Sequence, residues 1–195
     1  MTEPEFQPFP KISRLNREFL LTEKLDGTNA LVYISDDGEV KAGSRTRWIT
    51  PEADNYGFAK WVKTNEEELK RLGPGYHYGE FWGHGIQRKY GLKEKRFSLF
   101  NVHRWSDPDV RPKCCHVVPE LARAKDLKDL NYWVEHWLVR LKNFGSVAVP
   151  GFLEPEGIVI FHVPSSSLFK VTLVDDESPK SIIESKLTQA VDHPC

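Results

Sequence analysis

Alternating apolar and polar positions predict a series of short β-strands along the chain. The segment REFLLTEKL carries an apolar run, and TNALVYIS repeats with the period of two that is typical of a strand. The turn signal DDG at positions 36–38 predicts a hairpin, from which EVKAGSR returns as the next strand. Four later segments rich in aromatic and β-branched residues also predict strands: GYHYGEFWG, RFSLFNVHRW, EGIVIFHV and SLFKVTLV.

Two other stretches have the spacing of amphipathic helices. The first opens at Thr50 or Asn55 and stops at Gly73, with apolar residues at Phe58, Trp61, Val62, Leu69 and Leu72. The second lies between Pro119 and Gly145, with one apolar face made of Trp133, Trp137, Leu138, Leu141 and Phe144. Hairpin-linked strands with inserted helices predict an α+β fold of largely antiparallel sheets with flanking helices, rather than repeated βαβ units.

Length and composition fit a globular protein without a membrane segment. The chain has 195 residues, of which 39% are hydrophobic and 28% are charged. The N-terminal segment MTEPEFQPFPK lacks the basic and apolar regions of a secretory signal, and no long apolar run follows it. Three cysteines, two of them adjacent, do not indicate a disulfide framework. We therefore expect a cytoplasmic protein with no membrane partner.

Domain organisation is predicted to be simple. Neither an internal repeat nor a low-complexity linker divides residues 1–175, which predicts one domain over that range. Residues 176–195 are predicted to be a short C-terminal tail with one amphipathic helix candidate and no appended OB-fold.

The charge pattern leaves two interpretations open for one segment. Although the formal net charge is −1, the segment IQRKYGLKEKR at 86–96 concentrates basic residues. Such a cluster is typical of a solvated loop and also of a local nucleic-acid-binding face. The charge pattern alone does not distinguish the two.

Candidate chemistry begins with the segment EKLDGTN, which places Lys24 at the end of a predicted strand, before Asp26 and a glycine turn. A lysine in this position can be a solvated charge, an ion-pair partner or a nucleophile. The last role requires a lowered pKa, through burial or through nearby cations such as Arg45 or Lys170. Gly27 permits a tight turn that would direct the Lys24 side chain into a cleft.

Two other kinds of site are not supported by the sequence. Cys114, Cys115 and His116 lie at some distance from His103, and no C-x-x-C spacing exists, which argues against structural zinc. The sequence also lacks the G-x-x-x-x-G-K-[ST] loop of P-loop kinases.

The segment EKLDGTN resembles the K-x-D-G motif of the covalent nucleotidyltransferase superfamily, which comprises ATP-dependent DNA and RNA ligases and mRNA capping enzymes. Further segments resemble the later motifs of this superfamily in the same order: GSRTR, YGEFWG, FSLFNV, EGIVI and LFKVT. Together they extend over residues 20–174. The leading FPKISRLN and the asparagine at position 29 resemble the corresponding positions of RNA ligases. DNA ligases and capping enzymes usually vary at the position of this asparagine.

This resemblance implies an ATP-grasp-like ligase domain that joins RNA through a lysyl-AMP intermediate. ATP and Mg²⁺ or Mn²⁺ would be the cofactors. The substrate would be RNA with 5′-phosphate and 3′-hydroxyl ends, and an end-processing or RNA-binding protein is a possible partner. RNA repair would be the setting.

The resemblance also implies a catalytic set. Lys24 would be the nucleophile, and Lys170 would contact the α-phosphate. Asp26 and Asn29 would hold metal-bound water or sense the RNA 5′-phosphate. Glu156 would bind a metal ion through water, and with Asp26 it makes up the expected metal site.

The remaining implied residues would bind the nucleotide. Glu23 would help to orient the adenine through its backbone, and Arg45 would contact the ribose or the phosphates. Glu80 would accept a hydrogen bond from a ribose hydroxyl. Phe100 would stack on the adenine, while Phe97, three positions away on the same predicted strand, should face the opposite side.

One departure from the family pattern concerns the fifth motif, where a second lysine is expected and Thr172 stands instead. A threonine brings no charge, so either another cation such as Lys180 replaces the lysine or adenylylation is slower. A shifted register, with Lys170 in the second position and Leu168 in the first, is also open. Alternative functions are DNA ligation, GTP-dependent capping, and a relic that binds nucleotide or RNA ends without catalysis.

Overall fold

A computed structural model describes residues 5–174 and residue 176. The helix candidate of the predicted tail lies outside the described residues. Residues 5–174 form ten strands and four α-helices. The strands are β1 (Phe19–Lys24), β2 (Thr28–Ile34), β3 (Val40–Gly43), β4 (Trp48–Ile49), β5 (Gly75–Gly83), β6 (Lys95–Leu99), β7 (Cys115–Val117), β8 (Glu120–Ala124), β9 (Gly157–His162) and β10 (Ser167–Thr172). The helices are α1 (Phe58–Thr64), α2 (Glu66–Leu69), α3 (Val102–Trp105) and α4 (Leu127–Phe144).

The first sheet has four antiparallel strands in the order β10-β9-β1-β8. Alternate residues of its central strands, such as Phe19, Leu21 and Ile158, are buried against one face of α4. That face carries Trp133, Trp137 and Leu141 among its apolar residues. The amphipathic pattern of α4 thus covers one side of this sheet and leaves the other side for contacts with the second sheet.

The second sheet has six strands in the order β4-β3-β2-β5-β6-β7. Its described pairs are antiparallel except for β6 and β7, which run parallel. One face packs on α1, where Phe58 contacts Phe81 and Phe97 with ring centroids 4.9 and 5.2 Å apart. The largely antiparallel α+β architecture confirms the predicted fold class.

The two sheets are in contact, and we call the region between Lys24 of the first sheet and Glu80 of the second the groove. Residues from both contribute to a third apolar cluster that contains Leu20, Leu25, Trp82, Tyr90 and Phe161. The chain passes from the first sheet to the second between the end of β1 and the start of β2. The segment EKLDGTN therefore lies at the crossing from one sheet to the other.

The first predicted helix is interrupted in the structure at Asn65. Its backbone N–H donates to the carbonyl oxygens of Trp61 and Val62, and its side-chain amide donates to Trp61 as well. Such a side chain competes with the helical hydrogen bonds, so α1 ends there and α2 begins as a separate turn. The predicted stop at Gly73 is correct, since this residue has a φ of 77° and follows a 3₁₀ turn at Lys70–Leu72.

Three short strands were not expected from the sequence, and one predicted strand is too long. Strands β4, β7 and β8 have no clear alternation of their own, and β8 forms because it pairs with β1. The segment RFSLFNVHRW is extended only as far as Leu99. Asn101 accepts a hydrogen bond from the Arg104 N–H at 3.1 Å and thereby caps α3. Phe144, expected on the apolar face of α4, is exposed.

Within the described residues, no helix has the length and apolar character needed to cross a membrane.

Candidate active site

The pleat of β1 directs two neighbouring acidic and basic side chains to opposite faces of the first sheet. Lys24 points into the groove, where its Nζ lies 2.7 Å from Glu156 Oε2. The Glu156 side chain is only 2% exposed and the Lys24 side chain 22%, so the pair lies largely out of solvent. Lys24 is thus an ion-pair partner of a buried carboxylate and not a solvated surface charge.

Glu23 points to the side of the sheet that carries α4. Its carboxylate accepts hydrogen bonds from the Ser146 hydroxyl at 2.6 Å and from the N–H groups of Val147 and Ala148 at 2.8 and 2.9 Å. Burial raises the pKa of Glu23, although these hydrogen bonds and the charge of Arg140 act in the opposite direction. The Glu23 side chain therefore anchors the segment after α4 to β1. The backbone N–H of Glu23 donates a hydrogen bond to the Pro119 carbonyl.

Glu80 lies on the wall of the groove that belongs to the second sheet. Its Oε1 accepts a hydrogen bond from the Gly27 N–H at 2.9 Å, and in the β2–β5 pairing it stands opposite Asn29. Burial, helped by the nearby charges of Glu156 and Asp26, raises the pKa of Glu80 to about 7, although Lys24 and the hydrogen bond from Gly27 act in the opposite direction. The segment EKLDGTN is thus tied to β5 through a carboxylate that titrates near neutrality.

The pH dependence of stability is expected to report on Glu80. Its folded-state pKa is raised above 4.5, so the protonated form stabilises the fold below that pH, and this contribution is lost as the pH rises to about 7. We expect the free energy of unfolding to fall by about 3 kcal/mol across that window relative to Glu80→Gln. Urea unfolding of both proteins at several pH values measures the difference. A difference that does not change with pH would contradict the expectation.

Gly27 is required for close approach between two chain segments rather than for a left-handed turn, since it is not among the glycines with positive φ. A Cβ added at Gly27 would lie 2.3 Å from the Phe81 carbonyl oxygen and 2.6 Å from Trp82 Cβ. Neither backbone can retreat without disturbing the β2–β5 pairing. The glycine thus allows the segment after Lys24 to lie directly on β5.

Substituting Gly27 by alanine is therefore expected to destabilise the protein by about 2 kcal/mol through this overlap. It should also slow any reaction of Lys24, because the segment moves away from Glu80. Gly38 is the matched control: it has a φ of 86° but open space around it, and its alanine variant should cost about 1 kcal/mol without an effect on the site. Chemical denaturation and covalent labelling of Lys24 measure the two effects. Equal labelling in both variants would contradict this role for Gly27.

Asp26 is held by two residues that the sequence did not mark as site residues. Arg88 Nε lies 2.9 Å from Asp26 Oδ2, and a second nitrogen of Arg88 donates to the Glu154 carbonyl at 3.1 Å. The Asp26 N–H donates to the Tyr90 hydroxyl at 2.8 Å. Burial raises the pKa of Tyr90, whose ring packs on Trp82 and on Phe152.

The loop that carries Arg88 and Tyr90 is strained. Gln87, Lys89 and Tyr90 have φ values of 44°, 60° and 52°, which residues other than glycine rarely adopt. Such strain persists where surrounding contacts hold it, and the contacts of Arg88 and Tyr90 with Asp26 are among those that hold this loop, together with its own backbone hydrogen bonds. The basic residues of segment 86–96 thus do not form one continuous basic surface. Arg88 points to Asp26, whereas Lys95 donates to the Tyr56 carbonyl and Arg96 pairs with Glu94.

Lys170 and Thr172 lie on β10, on the same face of the first sheet as Lys24. Across the sheet, Lys24 pairs with Gly157, which pairs with Thr172. Two residues along β9, Val159 pairs with Lys170, so Lys170 faces the same side of the sheet as Lys24. The Lys170 side chain is exposed. The Thr172 hydroxyl donates to the Val174 carbonyl at 3.1 Å and also lies 3.1 Å from Asp176 Oδ1, so it closes a turn after β10.

The other predicted nucleotide contacts lie around the rim. Arg45 is exposed in the turn between β3 and β4, and Asn29 is exposed on β2. Phe100 directly follows β6 with 40% of its surface exposed, and its N–H donates to the Tyr78 carbonyl. Phe97 is fully buried in the core of the second sheet and is not available to stack on a base.

A metal centre is not preassembled in the groove. Within the described residues, no three His, Cys, Asp or Glu side chains are grouped so that they could hold a metal ion. Of the predicted ligands, Glu156 faces the Lys24 ammonium and Asp26 faces the Arg88 guanidinium. As arranged, these carboxylates do not form a protein-held cage for a metal ion.

The fold is similar to that of solved RNA ligase structures. Structures of Naegleria gruberi RNA ligase variants are similar to this chain, one with ATP and Mn at a TM-score of 0.59 and 23% identity, and one with AMP and Mn at 0.58 and 23%. The alignments cover 80% and 81% of this chain but 49% and 50% of the Naegleria chains. A third Naegleria RNA ligase structure, with pyrophosphate, gives a TM-score of 0.57 at 23% identity over 80% of this chain and 50% of its own. This chain thus spans about half the length of these proteins.

Sequence comparison agrees with the structural one. Residues 17–172 match the model of the RNA ligase family, and the chain belongs to that family. A search of curated proteins gives no significant match.

Proposed function

We propose that the protein is an ATP-dependent RNA ligase in which Lys24 carries AMP as a covalent intermediate. The observation that carries this proposal is the Lys24–Glu156 pair in the groove between the sheets, with Glu80 on the opposite wall. The Lys24 amine beside buried carboxylates suits a nucleotide, because the amine can meet its phosphates and the carboxylates can accept from its ribose hydroxyls. Membership of the RNA ligase family supports RNA as the substrate.

The first step would form a bond between Lys24 Nζ and the α-phosphorus of ATP and break the bond to pyrophosphate. Nζ must lose a proton to attack. Glu156 Oε2, 2.7 Å away, is the group in position to accept it. Lys170, on the same face of the sheet, would contact the α-phosphate, and Arg45 would approach the ribose or phosphates from the rim. The Naegleria structures with ATP, AMP and pyrophosphate support a nucleotide site in this fold.

The second and third steps would transfer AMP from Lys24 to an RNA 5′-phosphate and then release it when a 3′-hydroxyl attacks. Charge in these steps develops on non-bridging phosphate oxygens, so cations are required near them. Asp26 and Asn29 remain the proposed groups near the RNA 5′-phosphate. The proposal of Mg²⁺ or Mn²⁺ is supported by the Mn in the Naegleria structures. When bound, such an ion would neutralise phosphate charge and would be held largely by the nucleotide and water.

Incubation with ATP or GTP labelled at the α-phosphate, followed by a denaturing gel, tests the first step. We expect a labelled protein band with ATP and not with GTP, and loss of the band when pyrophosphate is added. A band with GTP would favour a capping enzyme instead. The absence of a band with either nucleotide, in protein shown to be folded, would leave a nucleotide-binding or RNA-binding relic.

Substrate class is tested with matched nicked duplexes whose 3′-hydroxyl strand is RNA or DNA. The proposal expects joining of the RNA strand, whereas equal or faster joining of the DNA strand would indicate a DNA ligase. Single-stranded RNA ends, offered in parallel, show whether a nick is needed.

A further inference from the structure

Four aromatic side chains extend the wall of the groove beyond Glu80 on the same face of the second sheet. We name Tyr33, Trp48, Tyr76 and Tyr78 the aromatic platform. The β2–β5 register pairs Asn29 with Glu80, Leu31 with Tyr78 and Tyr33 with Tyr76. Because side chains alternate along a strand, these residues share one face, and Trp48, opposite Gly43 in the β3–β4 pair, continues it.

The rings of the platform are in contact with one another and open to solvent. Tyr33 lies 4.7 Å from Tyr76 and 5.8 Å from Trp48 between ring centroids, and the Tyr76 and Tyr78 rings are 6.3 Å apart at 13°. Tyr76 and Tyr78 are each 58% exposed and Trp48 is 51% exposed. A cleft of about 530 Å³ adjoins the platform, with Tyr33, Trp48 and Tyr76 among its lining residues.

Stabilisation of the sheet does not account for this arrangement. Cross-strand aromatic pairs such as Tyr33 and Tyr76 do stabilise strand pairing, but they do so by covering one another. Here more than half of three large rings remains in water, in one continuous patch. Contiguous exposed aromatic surface of this kind marks a binding site more often than single exposed rings do.

We propose that the aromatic platform binds unpaired nucleotides of RNA next to the end that is being joined, by stacking of bases on its rings. The proposal rests on the proposed function, and it adds to it a site for the strand outside the nucleotide pocket. Every base has a flat face, so stacking on aromatic side chains binds single strands without sequence preference. The platform begins two residues from Glu80 on β5, so a strand that leaves the groove would pass over it.

The charges around the platform are mixed, with Glu66 in the adjoining cleft, and they include cations that a polyanion could reach. Arg47, next to Trp48, is exposed and forms no ion pair within the described part of the chain. Lys41 stands opposite Tyr33 in the β2–β3 pair and is half exposed, with Glu39 3.1 Å from its Nζ. A phosphate backbone can thus meet cations at the side of the platform while its bases meet the rings.

Fluorescence anisotropy with a labelled, unstructured 5′-phosphorylated oligoribonucleotide tests the proposal. Trp48→Ala and Tyr78→Ala should each weaken binding by about 5-fold to 100-fold, which corresponds to the loss of one stacked base. Trp48→Phe and Tyr78→Phe keep an aromatic face and should bind within a few-fold of wild type. Tyr132→Ala is the matched control, because Tyr132 is 59% exposed on α4, away from the platform, and its loss should leave RNA affinity unchanged.

Wild-type affinity in both alanine variants would overturn the proposal. An equal loss of affinity for a blunt RNA duplex would also overturn it, since paired bases do not offer their faces. So would a concentration-dependent dimer that both alanine variants abolish without a change in RNA affinity, because the platform would then be a contact between copies.

The assay is independent of lysine adenylylation, since it needs no ATP. If no adduct forms with ATP but the alanine variants lose RNA affinity, the proposed ligase function fails and the platform stands. If the adduct forms and the variants bind RNA as wild type does, the platform fails and the ligase function stands.

Discussion

Replacing Lys24 by arginine is expected to lower formation of the lysyl-AMP adduct by at least about 10³-fold while the protein remains folded. Arginine keeps the positive charge beside Glu156, but its guanidinium does not deprotonate in proteins and so cannot attack phosphorus. Labelling with ATP in a single turnover measures the rate. Thermal unfolding of the same sample shows whether the fold is intact.

The arginine variant is a sharper test than Lys24→Ala. Glu156 is 2% exposed and its Oε2 lies 2.7 Å from the lysine nitrogen, so alanine removes a cation from a buried carboxylate. Breaking such a pair is strongly destabilising, and loss of label would then be confounded with loss of fold. An arginine variant that is labelled at the wild-type rate would show that Lys24 is not the nucleophile. The exposed Lys170 would then be the next lysine to replace.

Glu23→Ala is expected to cause the largest loss of stability among single substitutions at the site. It removes the acceptor for the Ser146 hydroxyl and for two N–H groups of the following residues. Donors left without a partner in the interior are costly, and the relief of a buried carboxylate offsets only part of that cost. We expect about 4 kcal/mol, which corresponds to a fall in Tm of about 8–16 °C for a chain of this size.

Glu23→Gln is the conservative control for this prediction. Its amide oxygen still accepts from one or two of the three donors without a buried charge, so about half of the loss should be recovered. Differential scanning calorimetry of the three proteins measures the series. If Glu23→Ala unfolds within about 2 °C of wild type, the hydrogen bonds to residues 146–148 do not hold that segment.

The sequence predicts the position of Lys24 well because the prediction depends on local alternation. A strand that ends in Glu23 and Lys24 must direct them to opposite faces, and the following glycine marks the crossing to β2. The motif order also indicated Glu80 and Glu156 as site residues, and the structure places both at the groove. Their proposed chemical roles stay predictions.

Arg88 and Tyr90 could not be found in this way, because no local pattern assigns a partner across a sheet. Once Asp26 is buried, its carboxylate needs a cation and its backbone N–H needs an acceptor. From the sequence alone, any basic residue of segment 86–96 could be that cation. The choice of Arg88 depends on three positive φ values in its loop, which only the folded chain reveals. A buried carboxylate in a predicted site is therefore the signal that a cation remains to be found.

The secondary structure shows the same division between local and distant causes. The hairpin of β2 and β3 follows from its turn residues, and α4 follows from its apolar face. Strand β8 does not, since ELARA has no strand pattern and becomes extended because β1 offers it an edge. Thr172 is a further case: the motif expects a lysine at its position, and only the structure shows that its hydroxyl closes a turn with Val174 and Asp176.

The order of strands in the four-stranded sheet also determines when the site can form during synthesis on the ribosome. Lys24 and Glu156 are separated by 132 residues, and β1 lies between β8 and β9, which are made much later. Contacts between such distant segments form slowly, and β1 must wait with both edges unpaired until its neighbours emerge. Nascent chains therefore expose an apolar strand, FLLTEK, for most of translation. Chaperone capture should concentrate on this strand, and a chain stalled before β9 would not complete the site around Lys24.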